Sequence, residues 1–198
     1  PVHQGRPRRG RPVARRESVT WRSKMCLTNG STPSPEPTRT DWSTYFLDLA
    51  LRCARQGTCI RRNSGAVIVD GTRIVSTGYT GAPRGMPHCA TLGCYREAHG
   101  IPPGQNYEAC RSVHAEQNAL LMAREDVAGR ALYLATLDVR SGEPIFRLPC
   151  ALCAKMLVNA GITRVVIWGD TIPFRTPEDL YEGHLAEMDA VWGGRDGE

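Results

Sequence analysis

The 198-residue sequence has no run of about 18 apolar residues, so its pattern offers no membrane-spanning helix. It has no apolar stretch near its start that would read as a secretion signal, so a cytoplasmic protein is expected. It also lacks internal repeats. With 41% hydrophobic and 23% charged residues it is ordinary for a soluble globular chain, and its length fits one domain with a short tail. Eight cysteines are many. A disulfide scaffold would need a short secreted chain, so in a reducing compartment these cysteines read as metal ligands or catalytic thiols.

The net charge of +5 divides unevenly. Residues 1–40 hold nine basic and two acidic groups, or +7, and residues 41–198 hold 16 basic and 18 acidic, or −2. The basic balance therefore belongs to the first 40 residues, which are expected to form a disordered Pro/Arg-rich tail. An Arg-rich arm for nucleic acid and a transit peptide are the sharper readings of that segment. The first methionine is Met25, and residues 1–24 read as sequence outside the natural protein. Residues 41–198 read as the folded domain.

The pattern predicts a helix from Asp41 to Gly57, with Asp41 as its N-cap. A hairpin follows, Ala66–Val69 and Ile74–Val75 about the turn pair Asp70-Gly71. Residues 80–111 are loop-like, and a loop that long is expected to be functional or stapled. A helix over 113–124, a strand over 131–136, a polar excursion over 137–148, a helix over 150–160, a strand over 164–168 and a helix over 178–190 complete the order. This predicts a three-layer α/β/α sandwich around a mixed sheet, its hairpin antiparallel and its later strands parallel.

Two segments carry chemistry. His114-Ala115-Glu116 and Pro149-Cys150-Ala151-Leu152-Cys153 each open a predicted helix. Cys150 and Cys153 are three apart, so both thiolates point to one side of the first turn. One imidazole and two thiolates are three of the four ligands of tetrahedral Zn2+, and the open fourth position distinguishes a catalytic site from a structural one. Glu116 faces the same pocket as a proton carrier. Either half alone is weak, since a lone CxxC fits a redox pair or half a zinc ribbon. Together they form the H-x-E…P-C-x-x-C signature of zinc nucleobase deaminases.

Over roughly residues 41–169, the chain resembles the deoxycytidylate (dCMP) deaminases of the cytidine deaminase superfamily. The similarity rests on Cys59-Ile60-Arg61-Arg62 leading into Gly65–Val69, and on Gly78-Tyr79-Thr80-Gly81-Ala82-Pro83. It continues through Pro87-His88-Cys89, His114–Ala119 and Pro149–Lys155. The resemblance implies a cytidine deaminase-like fold and conversion of dCMP to dUMP and ammonia. It implies zinc on His114, Cys150 and Cys153, with Glu116 moving protons to N3 and the departing amine. It also implies a homo-oligomer, often a hexamer, and dCTP or dTTP as effectors. The Ala115 N–H is expected to meet the base carbonyl, and Asn118 to read the base edge. Asn118 reads equally as a surface or core amide.

Two departures stand out. Thr80 replaces the asparagine that relatives place against the nucleotide, which leaves the exact substrate open. The Asp138–Leu148 insertion reads as a reshaped pocket rim, an oligomer contact or a neutral loop. Some relatives carry a second, structural zinc, which Cys59, Cys89, Cys94, Cys110 and His88 are candidates to hold. Arg84 and Arg111 are candidates for the 5′-phosphate that sequence does not separate from solvated arginines. Two other functions remain in view: deamination of a polynucleotide base such as tRNA adenosine or single-stranded DNA, and a non-catalytic zinc-binding assembly protein. Glu116 argues against the latter, since a closed structural site does not need it.

Overall fold

The computed structural model describes residues 39–102 and 105–192. The basic tail expected over residues 1–40 lies outside them, apart from its last two residues. Helix α1 (Trp42–Ala54) starts where expected, because the Asp41 carboxylate accepts the Thr44 N–H at 3.0 Å and satisfies a free amide of the first turn. Strands β1 (Arg62–Asp70) and β2 (Arg73–Tyr79) form the hairpin. Its register pairs Asp70 with Arg73, so Gly71 and Thr72 make the turn, one residue beyond the expected pair.

The rest of the chain follows the expected order with two additions. The segment 80–111 holds the single-turn helices α2 (Cys89–Leu92) and α3 (Tyr95–Ala98) and a 3-10 turn at Tyr107–Ala109. Helix α4 (Ala115–Met122) and strand β3 (Ala131–Asp138) follow. The polar excursion contains a short strand, β4 (Pro144–Ile145). Helix α5 (Ala151–Asn159), strand β5 (Arg164–Ile167) and helix α6 (Pro177–Trp192) close the domain.

The sheet is mixed. β1 lies between β2 and β3, antiparallel to both, and β5 runs parallel to β3. β1 covers one edge of β3 along its whole length, whereas β5 covers only Ala131–Leu134 on the other. β4 pairs with Thr136 and Leu137, occupying the stretch of that edge that β5 leaves bare. The backbone groups there would otherwise lack partners. The excursion is thus part of the sheet.

Side-chain alternation makes three layers. Ala66, Ile68, Leu132, Leu134, Val165 and Ile167 pack against Ala115 and Ala119 of α4, Leu157 of α5 and Leu180 of α6. Val67, Val69, Ala131, Tyr133 and Ala135 point the other way, onto Phe46 and Ala50 of α1. This is the expected three-layer α/β/α sandwich around a mixed sheet.

Two glycines let helices rest directly on strands. A Cβ at Gly78 would fall inside contact distance of the Ala115 carbonyl oxygen and the Ala119 amide nitrogen of α4. A Cβ at Gly65 would meet the Ala50 carbonyl and the Ala54 amide of α1 in the same way. These neighbours are backbone and cannot swing aside. Gly78→Ala should therefore destabilise the domain by about 3 kcal/mol, the upper end of the usual overpacking cost. Gly183→Ala in α6, where a methyl group meets nothing within 4 Å, should gain about 0.5–1 kcal/mol from helix propensity. Urea midpoints of the two variants check this, and a Gly78→Ala midpoint equal to wild type would contradict the packing argument.

Candidate metal centre

His114 is the N-cap of α4 and Cys150 the N-cap of α5, with both backbones extended. The Gln117 side-chain oxygen accepts the His114 N–H at 3.1 Å, and the Gln117 amide reaches Met156 Sδ at 3.5 Å. One side chain thus fixes the start of α4 and ties it to α5. His114 Nδ1 stands 3.5 Å from Cys150 Sγ and 3.4 Å from Cys153 Sγ. All three donor atoms lie within 4.8 Å of one another.

These spacings test whether a metal fits. Zn–N and Zn–S bonds of about 2.0 and 2.3 Å at tetrahedral angles place nitrogen about 3.5 Å from sulfur. The observed distances match. One imidazole and two thiols also favour zinc over the harder cations, which prefer oxygen.

The electrostatics agree. Hydrogen bonding to Cys153 pulls the Cys150 thiol down to about 4, against its own burial and with help from His114. The same contact, together with burial, pushes the Cys153 thiol up. Burial opposes a charge on His114, but its bond to Cys150 and the field of Glu116 outweigh it and raise its pKa. Two thiols, an imidazole and their protons crowd a point that a cation can take over, releasing those protons. The N-termini of α4 and α5 add positive potential that favours thiolate.

Glu116 is 5% exposed, and burial raises its carboxyl above the usual range. It lines the same pocket as His114 and Cys150. The pocket opens where β1 begins and where β2 and β3 end. There Ser64 and Thr136 hydroxyls meet at 2.8 Å, and Thr80 Oγ1 accepts the Ser64 N–H at 3.0 Å. A buried carboxyl whose pKa is raised, in one pocket with a candidate metal site and several hydroxyls, is suited to carrying protons to a small polar ring.

The structure thus gathers His114, Cys150, Cys153, Glu116 and Thr80. Two other expected contacts come from the first turn of α4. The Asn118 amide donates to the Tyr79 carbonyl at 2.8 Å and is not part of the pocket wall, so it steadies the end of β2. The other expected contact is the backbone N–H of Ala115, which follows His114 at the start of α4 with its side chain buried in the core. Among the described residues, His114, Cys150 and Cys153 form the single group of three or more His, Cys or acidic side chains with donors this close. Of the candidates for a second thiolate site, Cys59, Cys94 and Cys110 line the pocket and act electrostatically on buried Cys89, which contacts Ser112 Oγ at 3.8 Å, while His88 is exposed. Arg84 and Arg111 are likewise exposed and outside the wall.

Several residues escape sequence reading. Arg96, Tyr107 and Arg147 line the pocket, and the edge of the Tyr107 ring meets His114 at 5.1 Å between centroids. From α6, His184 Nε2 donates to the Pro149 carbonyl at 2.9 Å, just ahead of Cys150. No periodicity or motif marks these residues, because loops and a distant helix bring them in.

Comparison with known proteins agrees with this geometry. The family model for the cytidine and deoxycytidylate deaminase zinc-binding region matches residues 40–168. The deoxycytidylate deaminase of Mycobacterium phage D29 is 40% identical over 134 residues, 65% of this chain and 94% of that protein. The deoxycytidylate deaminases of Schizosaccharomyces pombe and Saccharomyces cerevisiae are 36% and 34% identical, over 67% and 80% of this chain. The chain spans under half of those two relatives, 38% and 47% of their length. The structure of a dCMP deaminase from cyanophage S-TIM5 with dCMP and dUMP aligns with a TM-score of 0.49 at 24% identity, covering 71% of this chain and 89% of that one.

The fold and the donor set define a zinc-dependent deaminase. The chain belongs to the cytidine and deoxycytidylate deaminase family.

If the His184 bond positions the turn that carries Cys150, His184→Ala should weaken zinc binding by about 10-fold, at the lower end of losses seen when outer contacts of metal sites are removed. Competition with a chromogenic chelator measures this. Zinc retention equal to wild type would show that the bond serves α6 packing alone.

Proposed function

We propose that this enzyme hydrolyses dCMP to dUMP and ammonia. The observation that carries the reading is the placement of Glu116 in the wall of the same pocket as His114 and Cys150. The 40% identity to the phage D29 deoxycytidylate deaminase supports the choice of nucleotide.

His114, Cys150 and Cys153 are the zinc ligands in this reading. Zinc bound there supplies a water acidified toward neutral pH as the nucleophile. Glu116 takes a proton from the attacking water and passes it to N3 of the base as the oxygen joins C4. Glu116 then carries a second proton to the exocyclic nitrogen, the C4–N bond breaks, and ammonia leaves. Burial suits Glu116 to both directions, since a raised carboxyl pKa lets it accept and return protons at little cost. Thr80 presents a hydroxyl where relatives carry an amide, so it can contact the nucleotide over a shorter reach. Residues 41–198 form the catalytic unit in this reading.

Glu116→Gln should keep the zinc content and melting temperature and lose dCMP turnover by about 10²–10⁴-fold, the usual contribution of one acid–base group. Ammonia release and dUMP formation are the readouts, with CMP, deoxycytidine, dCTP and a single-stranded oligonucleotide as alternative substrates. Near-normal turnover by Glu116→Gln would sink the assignment, and faster turnover of the oligonucleotide than of dCMP would redirect it.

A further inference from the structure

We infer that a cluster of arginines around the pocket, Arg96 and Arg147 with Arg61 and Arg62, grips the anionic group of the substrate, and that the excursion after β3 supplies part of that grip. The inference rests on the nucleotide reading above and assigns the residues that distinguish a nucleotide from a nucleoside. Four arginines line this pocket against one acidic side chain, Glu116. None of the four has a carboxylate within salt-bridge distance among the described residues.

Arg96 carries the argument furthest. It is 7% exposed, and a buried cation without a counter-ion is costly. One of its terminal nitrogens donates to the Pro102 carbonyl at 2.7 Å, its guanidinium lies 4.7 Å over the Tyr107 ring, and its Nε has no partner among the described residues. A neutral nucleoside would leave this charge unmet. A phosphate monoester, with its oxygens spaced for guanidinium donors, would meet it.

Arg147 lines the same pocket from the excursion. Pairing of β4 with Thr136 and Leu137 holds its segment to the sheet, and it stands three residues before Cys150. The excursion and α3 are joined, since Arg140 bridges to Glu97 at 3.1 Å, next to Arg96. Of the three readings of the insertion, this favours the reshaped rim. Arg61 and Arg62 enter from the start of β1, where Asp138 partly offsets the charge of Arg62.

The test uses the zinc-loaded full chain with Arg147→Ala, Arg147→Lys and Arg96→Gln. Zinc content, kcat and KM for dCMP, and dissociation constants for dUMP and deoxyuridine are measured. Arg147→Ala should raise the dCMP KM and the dUMP dissociation constant by about 10- to 100-fold, as expected for loss of a charged hydrogen bond. Its kcat should fall far less, and deoxyuridine binding should move far less than dUMP binding. Arg147→Lys should recover part of the loss. Arg96→Gln should show the same selectivity, and if it fails to fold, the exposed Arg147 pair decides alone. Equal weakening of dUMP and deoxyuridine, or an unmoved KM in Arg147→Ala, would overturn the anion site while leaving dCMP deamination standing. A chain inert toward dCMP whose dUMP affinity still depends on Arg147 would overturn the reaction and support the site.

Discussion

The direct contact of α4 with β2 at Gly78 sets the geometry on which the site depends. With no side chain between them, the helix backbone lies on the strand, and the start of α4 is held at a fixed height above the end of the sheet. His114 and Glu116 occupy that start, so their positions follow from a backbone contact rather than from flexible side chains. Gly65 does the same for α1 on the other face. Between the two helices, the inner strands present small and branched residues, Ala66, Val67, Ile68 and Val69, that fill both cores. Interiors packed this closely pass displacement onward instead of absorbing it.

The second half of the site arrives by a separate route. The β3–α5 connection brings Cys150 and Cys153 against His114, and Gln117 bridges the helices beneath them. The cluster is an assembly of groups that oppose one another without a cation: two thiols that influence each other's protonation, a half-buried imidazole and a buried carboxyl. Zinc binding relieves that conflict, so metal affinity and folding free energy are linked. A zinc-dependent family member is expected to draw part of its stability from the same ion that serves its chemistry.

The pocket walls come from the two segments that depart most from regular structure. Residues 80–111 contribute Arg96, Tyr107, Cys94 and Cys110, and the excursion contributes Arg147 and Leu148. The rigid sandwich fixes the reacting centre, and the loops shape what can reach it. Thr80 lies at the junction, buried, its hydroxyl accepting the N–H of Ser64, whose own hydroxyl meets that of Thr136.

Sequence alone determined the elements and the chemistry that are local. Asp41 capping, the alternation in β1 and β3, and the spacing of Cys150 and Cys153 depend on neighbours within a few residues, so periodicity and propensity expose them. The pairing of His114 with a distant CxxC was legible because deaminase chemistry demands that set of donors. Tertiary structure decided what local pattern does not encode. Asn118 sits beside the motif yet turns to the Tyr79 carbonyl, because its place on α4 points it at β2. Cys59 comes from ahead of β1 and Cys94 and Cys110 from the long loop, yet they line one pocket, since the path of the fold sets where their side chains lie. Arg96, Arg147 and His184 gain their roles from segments separated by 37 to 88 residues that meet only when the sheet and helices have packed.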